Sequence, residues 1–376
     1  MTAGAGTGTG TEADVGQLRA QRAARSAVIS LYLNIPVDLA EHRGLAPKAR
    51  DLIRSAGGEP AATDLDAITS AIAAGAQDWL GRTMAIFACA ELGLFEVISL
   101  PGHAPDRAVV AARPSIRPLL ASVQRHPPYQ VAVIDTQHAW LLGVARNEID
   151  TLAERTGRGV PSTRFAGWYG LEAYRIEQRI MELSKKHYRD TISVLAEMTS
   201  PPLVLGGHEM QISQFTAMLP QPVRQRVAGS FSLDLQTTTP ARVRELSAPV
   251  IADWAKAGEA QLVSDVLAEP PGTVVTTDLN QCLAAVRSRA VSQLVLADDQ
   301  VVPGSVCDNC GALEARMSAG DASCDCPDPA AACRRVPDVL DELTSQALAG
   351  GSEVTAVREA PFAVAARLRF QPAAPA

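Results

Sequence analysis

The densest chemistry in this sequence is sulfur. Cys307 and Cys310 have two residues between them, Cys324 and Cys326 follow after thirteen more with one between, and Cys333 closes the run. Thiolates are soft ligands, and a tetrahedral zinc site needs four of them. Cys307-Asp-Asn-Cys310-Gly311 has the spacing of a zinc knuckle, with glycine allowing the turn. Cys324-x-Cys326 is tighter, so either of these two pairs with Cys333 to complete the set. The alternative is a loop of thiols without metal. No His or Glu nearby suggests a base beside an open coordination position, so the zinc expected is structural. The remaining cysteines, Cys89 and Cys282, stand alone in apolar stretches. An odd count with one dense cluster speaks for metal rather than for a disulfide framework.

The second concentration is basic. Arg155, Arg158 and Arg164 share a stretch with Trp168 and Tyr169, and Arg175, Arg179, Lys185, Lys186, His187 and Arg189 follow. Residues 153–190 hold eight Arg and Lys against five acids, a local excess of +3 on a chain whose net charge is −7. Arg and Lys neutralise phosphates, and an exposed aromatic stacks on a base, which is the composition of an RNA contact. The bland alternative is a solvated helix face tied by pairs such as Glu182 with Lys186. The acidic total argues against a non-specific grip on nucleic acid, and DNA is not an expected partner.

Other motifs carry less. His208-Glu209 opens like a metalloprotease helix, but position 212 is Ile, so it reads as the loop after a strand. Asp135 ends a strand, and no second and third carboxylate can be assembled around it for two-metal chemistry, so a turn role is expected. Gly4, Gly6, Gly8 and Gly10 follow no strand and are not a phosphate loop. No Gly-x-Ser-x-Gly elbow and no Gly-Lys-Ser/Thr loop occurs. No apolar run is long enough to span a bilayer, and the first ten residues lack an apolar segment, so neither membrane insertion nor a secretory signal is expected. A cytoplasmic protein is the expectation.

These residues need a scaffold. The chain has 376 residues, 47% of them apolar and only 4% aromatic, so Ala, Val, Leu and Ile must fill its cores. Residues 1–15 read as a flexible leader. A first domain is expected over 16–127, with strands at 27–33, 83–90 and 94–100 and helices at 64–80 and 119–125. A second, 128–269, opens with a hairpin of strands 130–135 and 139–144. It continues through a loop, 156–170, a long helix carrying Ile176 to Leu195 on one face, strand 202–206, and helices 209–218 and 240–268. The third, 270–376, alternates strands and helices around a cysteine-rich insertion, 303–335. Pro127-Pro128 and Pro270-Pro271 mark the boundaries. The class is α/β, three mixed domains.

This order of blocks resembles the archaeal and eukaryotic class-1 peptide release factor and Pelota family, and in particular its bacterial relatives. Ser30-Leu-Tyr-Leu-Asn-Ile-Pro36 is similar to the family's first strand and turn. Val131-Ala-Val-Ile-Asp135 with Ala139-Trp-Leu-Leu-Gly143 resembles the hairpin of its middle domain. Gly157-Arg-Gly159 with Ser162-Thr-Arg-Phe-Ala166 resembles the loop that holds the Gly-Gly-Gln motif, and residues 275–297 and Arg367-Leu-Arg-Phe370 resemble the third domain. The resemblance implies an RNase-H-like middle domain, an α/β sandwich third domain, ribosomal RNA as partner, and a translational GTPase such as elongation factor Tu. Some archaeal members carry a zinc-binding insertion in the third domain.

The departures define the expected activity. Gly159 is followed by Val160-Pro161, and no Gln occurs between 156 and 170. The family's Gln supplies a donor and an acceptor to position water at the peptidyl-tRNA ester, whereas proline fixes φ and lacks an N–H. Where the family carries Asn-Ile-Lys-Ser, this chain has Ala46-Pro-Lys-Ala-Arg50, with Lys48 alone as a candidate remnant, and the Tyr-x-Cys-x-x-x-Phe motif has no counterpart near 109–117. The expectation is a ribosome-binding factor of termination, rescue or hibernation with no catalytic residue of its own. A peptidyl-tRNA hydrolase would need Thr163 or Arg164 to replace Gln, and an RNA- or protein-binding scaffold away from the ribosome is the third possibility.

Overall fold

A computed structural model describes residues 6–8, 12–23, 26–145, 148–157, 171–198, 201–235, 238–270, 274–315 and 333–370. By compactness the chain divides into two units, Met1–Arg125 with Gly258–Ala376, and His126–Ala257.

The first unit starts with β1 (Gly6–Gly8), α1 (Glu12–Leu18), β2 (Val28–Asn34), α2 (Leu45–Ser55), α3 (Ala62–Gly75), β3 (Thr83–Cys89), β4 (Leu94–Ser99), β5 (Arg107–Ala111) and α4 (Arg117–Arg125). Its sheet has the order β1-β4-β3-β2-β5. Alternation along β2 sends Ile29, Leu31 and Leu33 to one face, where Ala49 and Ile53 of α2 and Ile68 and Ile72 of α3 cover them. Gly6–Gly8 lies within the stretch expected as a flexible leader, yet it pairs in parallel with Glu96–Ile98. The β4 edge offers open N–H and C=O groups, which a glycine-rich segment can approach.

The second unit holds β6 (Tyr129–Ile134), β7 (His138–Ala145), β8 (Glu148–Thr156), α5 (Leu171–Glu197), β9 (Leu203–Gly207), α6 (Glu209–Met218), α7 (Gln221–Arg224), β10 (Val227–Ser232) and the start of α8 (Pro240–Ala268), a helix that runs through the division. The sheet order is β10-β9-β6-β7-β8, with β6, β9 and β10 parallel and β7 antiparallel to both its neighbours. Tyr188, Ile192 and Leu195 of α5 pack with Phe215 and Leu219 on one face, and Val243 and Ile251 of α8 pack on the other. The expected hairpin is present. β8 was not anticipated, because Glu148–Thr156 is an edge strand with mostly exposed residues and no clean apolar alternation.

The remainder of the first unit contains β11 (Val275–Thr276), α9 (Leu279–Arg287), β12 (Val291–Ala297), β13 (Gly304–Cys307), β14 (Leu313–Glu314), β15 (Cys333–Val336), α10 (Val339–Ala349), β16 (Glu353–Val357) and β17 (Val364–Leu368). A four-stranded sheet runs β11-β17-β12-β16, and a small one runs β14-β13-β15. The three-domain division expected at 127 and 269 differs from this compactness, for a physical reason. Tyr32, Phe87, Ile98 and Leu119 of the first block share one buried cluster with Leu283, Leu294, Leu340 and Val354 of the last. Arg117 joins them: it is fully buried, donates to the carbonyls of Ala297 (3.1 Å) and Gln300 (2.8 Å), and pairs with Asp338 at 2.5 Å.

Candidate functional site

Of the expected RNA-contacting residues, Arg155 lies on β8 and Arg175, Arg179, Lys185 and Lys186 lie on α5. Arg155 stands opposite Ala139. It is exposed, as are Arg179, Lys186 and Arg189 on α5. Arg179 and Lys186 are seven residues apart and so share a helix face. Lys185 pairs with Glu182 at 3.4 Å, so the internal ion pair uses Lys185 and not the expected Lys186. Arg175 lies in α5, but its side chain is outside the described residues, as are Arg158, Gly159, Val160, Pro161, Arg164 and Trp168.

What the structure does describe is the root of that loop. The N–H of Gly157 donates to the carbonyl of Gln137 at 2.5 Å. A Cβ on Gly157 would stand 3.3 Å from that oxygen and 3.4 Å from the His187 ring, so glycine permits the close approach of β8 to α5. Asp135 ends β6 and serves its own turn, accepting from the Thr136 N–H and hydroxyl, and Gln211 donates to it at 3.4 Å. The His138 Nδ1 lies 3.9 Å from Asp135. Ser184, His187 and Tyr188 of α5 are buried here, and the Ser184 hydroxyl, His187 Nε2 and Tyr188 hydroxyl have no hydrogen-bond partner among the described residues. Burial lowers the His187 pKa, and burial with Asp135 pushes the Tyr188 phenol up to about 12. Exposed cations on β8 and α5 thus accompany the buried polar side chains of Ser184, His187 and Tyr188. The sequence singled out Asp135 only as a turn residue and missed the cluster. Its one signal was His138 three residues after Asp135 in a tight hairpin.

Lys48 sits on the first turns of α2, where it pairs with Asp106. His208 is the N-cap of α6 after β9, the loop-after-strand position expected of it.

The cysteine turn is built from β13. The Cys307 N–H donates to Ala312 O and the Gly311 N–H to Cys307 O, both at 2.9 Å, with Gly311 at φ +70°. Glycine adopts that conformation at no steric cost. This backbone suits a Cys-x-x-Cys metal knuckle, and Cys333 of β15 is the direct register partner of Cys307. Cys324 and Cys326 lie outside the described residues. Among the described residues taken alone, no three His, Cys, Asp or Glu side chains are placed to hold a metal.

The family model for bacterial archaeo-eukaryotic release factor family 10 matches residues 114–257. Over those residues the chain is similar to bacterial members of the archaeo-eukaryotic release factor family. The matched residues contain β8, α5 and the stretch between them. Among solved structures, archaeal translation termination factor aRF1 is 15% identical, with 96% of this chain and 97% of that one covered and a TM-score of 0.25. A structure of ribosome-bound archaeal Pelota and ABCE1 is 16% identical, with 77% and 78% covered and a TM-score of 0.40. Dom34 of S. cerevisiae, described as interacting with Hbs1, is 9% identical, with 78% and 81% covered and a TM-score of 0.38. No curated protein matches. No helix among the described residues is long and apolar enough to cross a membrane.

Proposed function

We propose that this protein is a translation factor that binds the ribosomal A site in termination, rescue or hibernation, and that it does not itself hydrolyse peptidyl-tRNA. The observation that carries the reading is the composition of the loop inside the family match. Residues 156–170 lie within 114–257 and contain Arg158, Arg164, Val160 and Pro161 but no Gln. Ester hydrolysis needs a positioned water, and orientation supplies much of the rate. A loop without the amide side chain lacks the group that positions it. Arg155, Arg158, Arg164, Arg175, Arg179, Lys185 and Lys186, with Trp168 as a stacking group, are the residues assigned to ribosomal RNA; the exposure of Arg155, Arg179 and Lys186 supports this. The middle sheet, with its single antiparallel strand β7 inside a parallel set, is read as RNase-H-like.

Two further readings belong to the same proposal. A structural zinc would be held by Cys307, Cys310 and two of Cys324, Cys326 and Cys333, with the turn at Gly311 in support. A translational GTPase, elongation factor Tu in a bacterium, would accompany the factor.

The deciding experiment incubates purified protein with ribosomes carrying peptidyl-tRNA. The protein should co-sediment with ribosomes and leave the ester intact over a time in which a Gly-Gly-Gln release factor clears it. Release at a comparable rate would make the chain a peptidyl-tRNA hydrolase with a divergent loop. A protein that never sediments with ribosomes would be a scaffold acting elsewhere.

A further inference from the structure

α10 touches the cysteine turn with one set of side chains and the N-terminal block with another. Toward the turn, Gln346 Nε2 donates to Gly311 O at 2.8 Å. Arg334, the residue after Cys333, lies 3.7 Å from Glu342 and 3.5 Å from Asp308, which sits between Cys307 and Cys310. Toward the N-terminal block, Arg113 lies 3.3 Å from the other oxygen of Glu342. Asp341 accepts from the Ser115 hydroxyl at 2.7 Å and lies 3.5 Å from Arg107, while Asp338 holds Arg117.

Glu342 is the node. Its side chain is only 6% exposed, and its two oxygens face different parts of the chain. Oε2 meets Arg113 of the N-terminal block. Oε1 has no hydrogen-bond partner among the described residues and relies on the charge of Arg334. A buried carboxylate that loses one of two compensating cations becomes costly to keep buried. The outer pairs, such as Arg22 with Asp308, are two-fifths exposed and contribute little. The coupling therefore runs through Glu342 and α10 and not through the surface.

We propose that the cysteine turn clamps the N-terminal block: the order of the turn fixes Arg334, and Arg334 keeps Glu342, Arg113 and the β5–α4 segment in place. The clamp rests on the zinc reading only for what orders the turn. Loss of metal or modification of a cysteine then loosens the packing of residues 107–125, far away in sequence.

Amide exchange of the full-length protein tests this, with zinc content measured in parallel on wild type, Cys310→Ser and Arg334→Gln. Exchange over 107–125 should quicken roughly ten-fold in both variants, while exchange of β9 at 203–207 stays as in wild type. Arg334→Gln should keep its zinc, because it leaves all the cysteines in place. Unchanged exchange over 107–125 in both variants overturns the clamp and leaves the zinc reading to the metal analysis. Faster exchange everywhere, including 203–207, overturns it also, since the effect would then be general destabilisation. A wild-type protein without zinc in which Cys310→Ser still quickens 107–125 removes the metal reading and supports the clamp.

Discussion

Arg117 is a charge with no access to solvent, held by two carbonyls and two carboxylates. Asp338 is nevertheless held above the ordinary carboxylate range, by burial first and by Asp341 second, with Arg117 opposing both. Replacing Arg117 by Met therefore leaves two carboxylates facing each other in a buried setting. The expected loss of stability is about 3–5 kcal/mol in denaturant unfolding near neutral pH. An acid whose folded pKa is raised favours the fold more as pH falls, because the protonated form is the one the fold accepts. The Arg117→Met deficit should accordingly shrink as pH falls from neutral into the mildly acidic range, and a constant deficit would show that the carboxylates do not carry it. His187 has the opposite sign. Its pKa is lowered by burial, so the stability it contributes is present above the ordinary histidine value and is lost as pH falls through the folded value. Exchange protection of α5 should weaken on acidification in wild type, and less so in His187→Phe.

Among the elements, β16 shows how a sheet edge is closed without a strand. The Gln124 amide of α4 donates to Val354 O at 2.6 Å and accepts from Ala356 N at 2.9 Å, as a neighbouring strand would. Edges left open invite pairing with other chains. Gln124→Ala should cost about 1–2 kcal/mol by leaving the Ala356 N–H unpaired, and the loss should appear in thermal unfolding together with a greater tendency to associate at high concentration. Gly304 is similarly constrained. A Cβ there would overlap the carbonyl oxygen of Glu314 and stand 2.5 Å from Val339. Gly304→Ala should therefore disrupt the β13–β14 pairing and reach the cysteine turn, which a fall in bound zinc would report.

At the scale of the whole molecule, the reading as a ribosome ligand predicts a salt dependence. Each cation that neutralises a phosphate releases counterions on binding, so deleting such a cation lowers both the affinity and its sensitivity to salt. Replacing Arg179 and Lys186 together by Ala should weaken ribosome co-sedimentation and flatten its dependence on salt, with unfolding little changed because both side chains are exposed. Equal affinity and an equal slope would place the RNA contact elsewhere on the molecule.

Much of this was legible in the residues alone. The apolar runs of Val28–Asn34 and of β6 and the 3.6-residue spacing of Tyr188, Ile192 and Leu195 mark strands and helix, because these are local patterns. The knuckle spacing of Cys307 and Cys310, with Gly311 after it, dictated a tight turn for the same local reason. The order of blocks was enough to suggest the family, and the absence of Gln from 156–170 is a property of the sequence that no fold alters. α2 was missed although Leu45, Ala49 and Ile53 recur at four-residue steps, because its residues drew notice only as a motif. The tertiary structure alone decided the rest. That Arg117 is buried, that Gln124 completes a sheet, that Cys307 and Cys333 are register partners and that the first and last blocks share a core all depend on contacts between distant positions. The charge of an arginine or the amide of a glutamine says nothing about which surface will enclose it; only the packing of elements sets the partner that makes its burial tolerable.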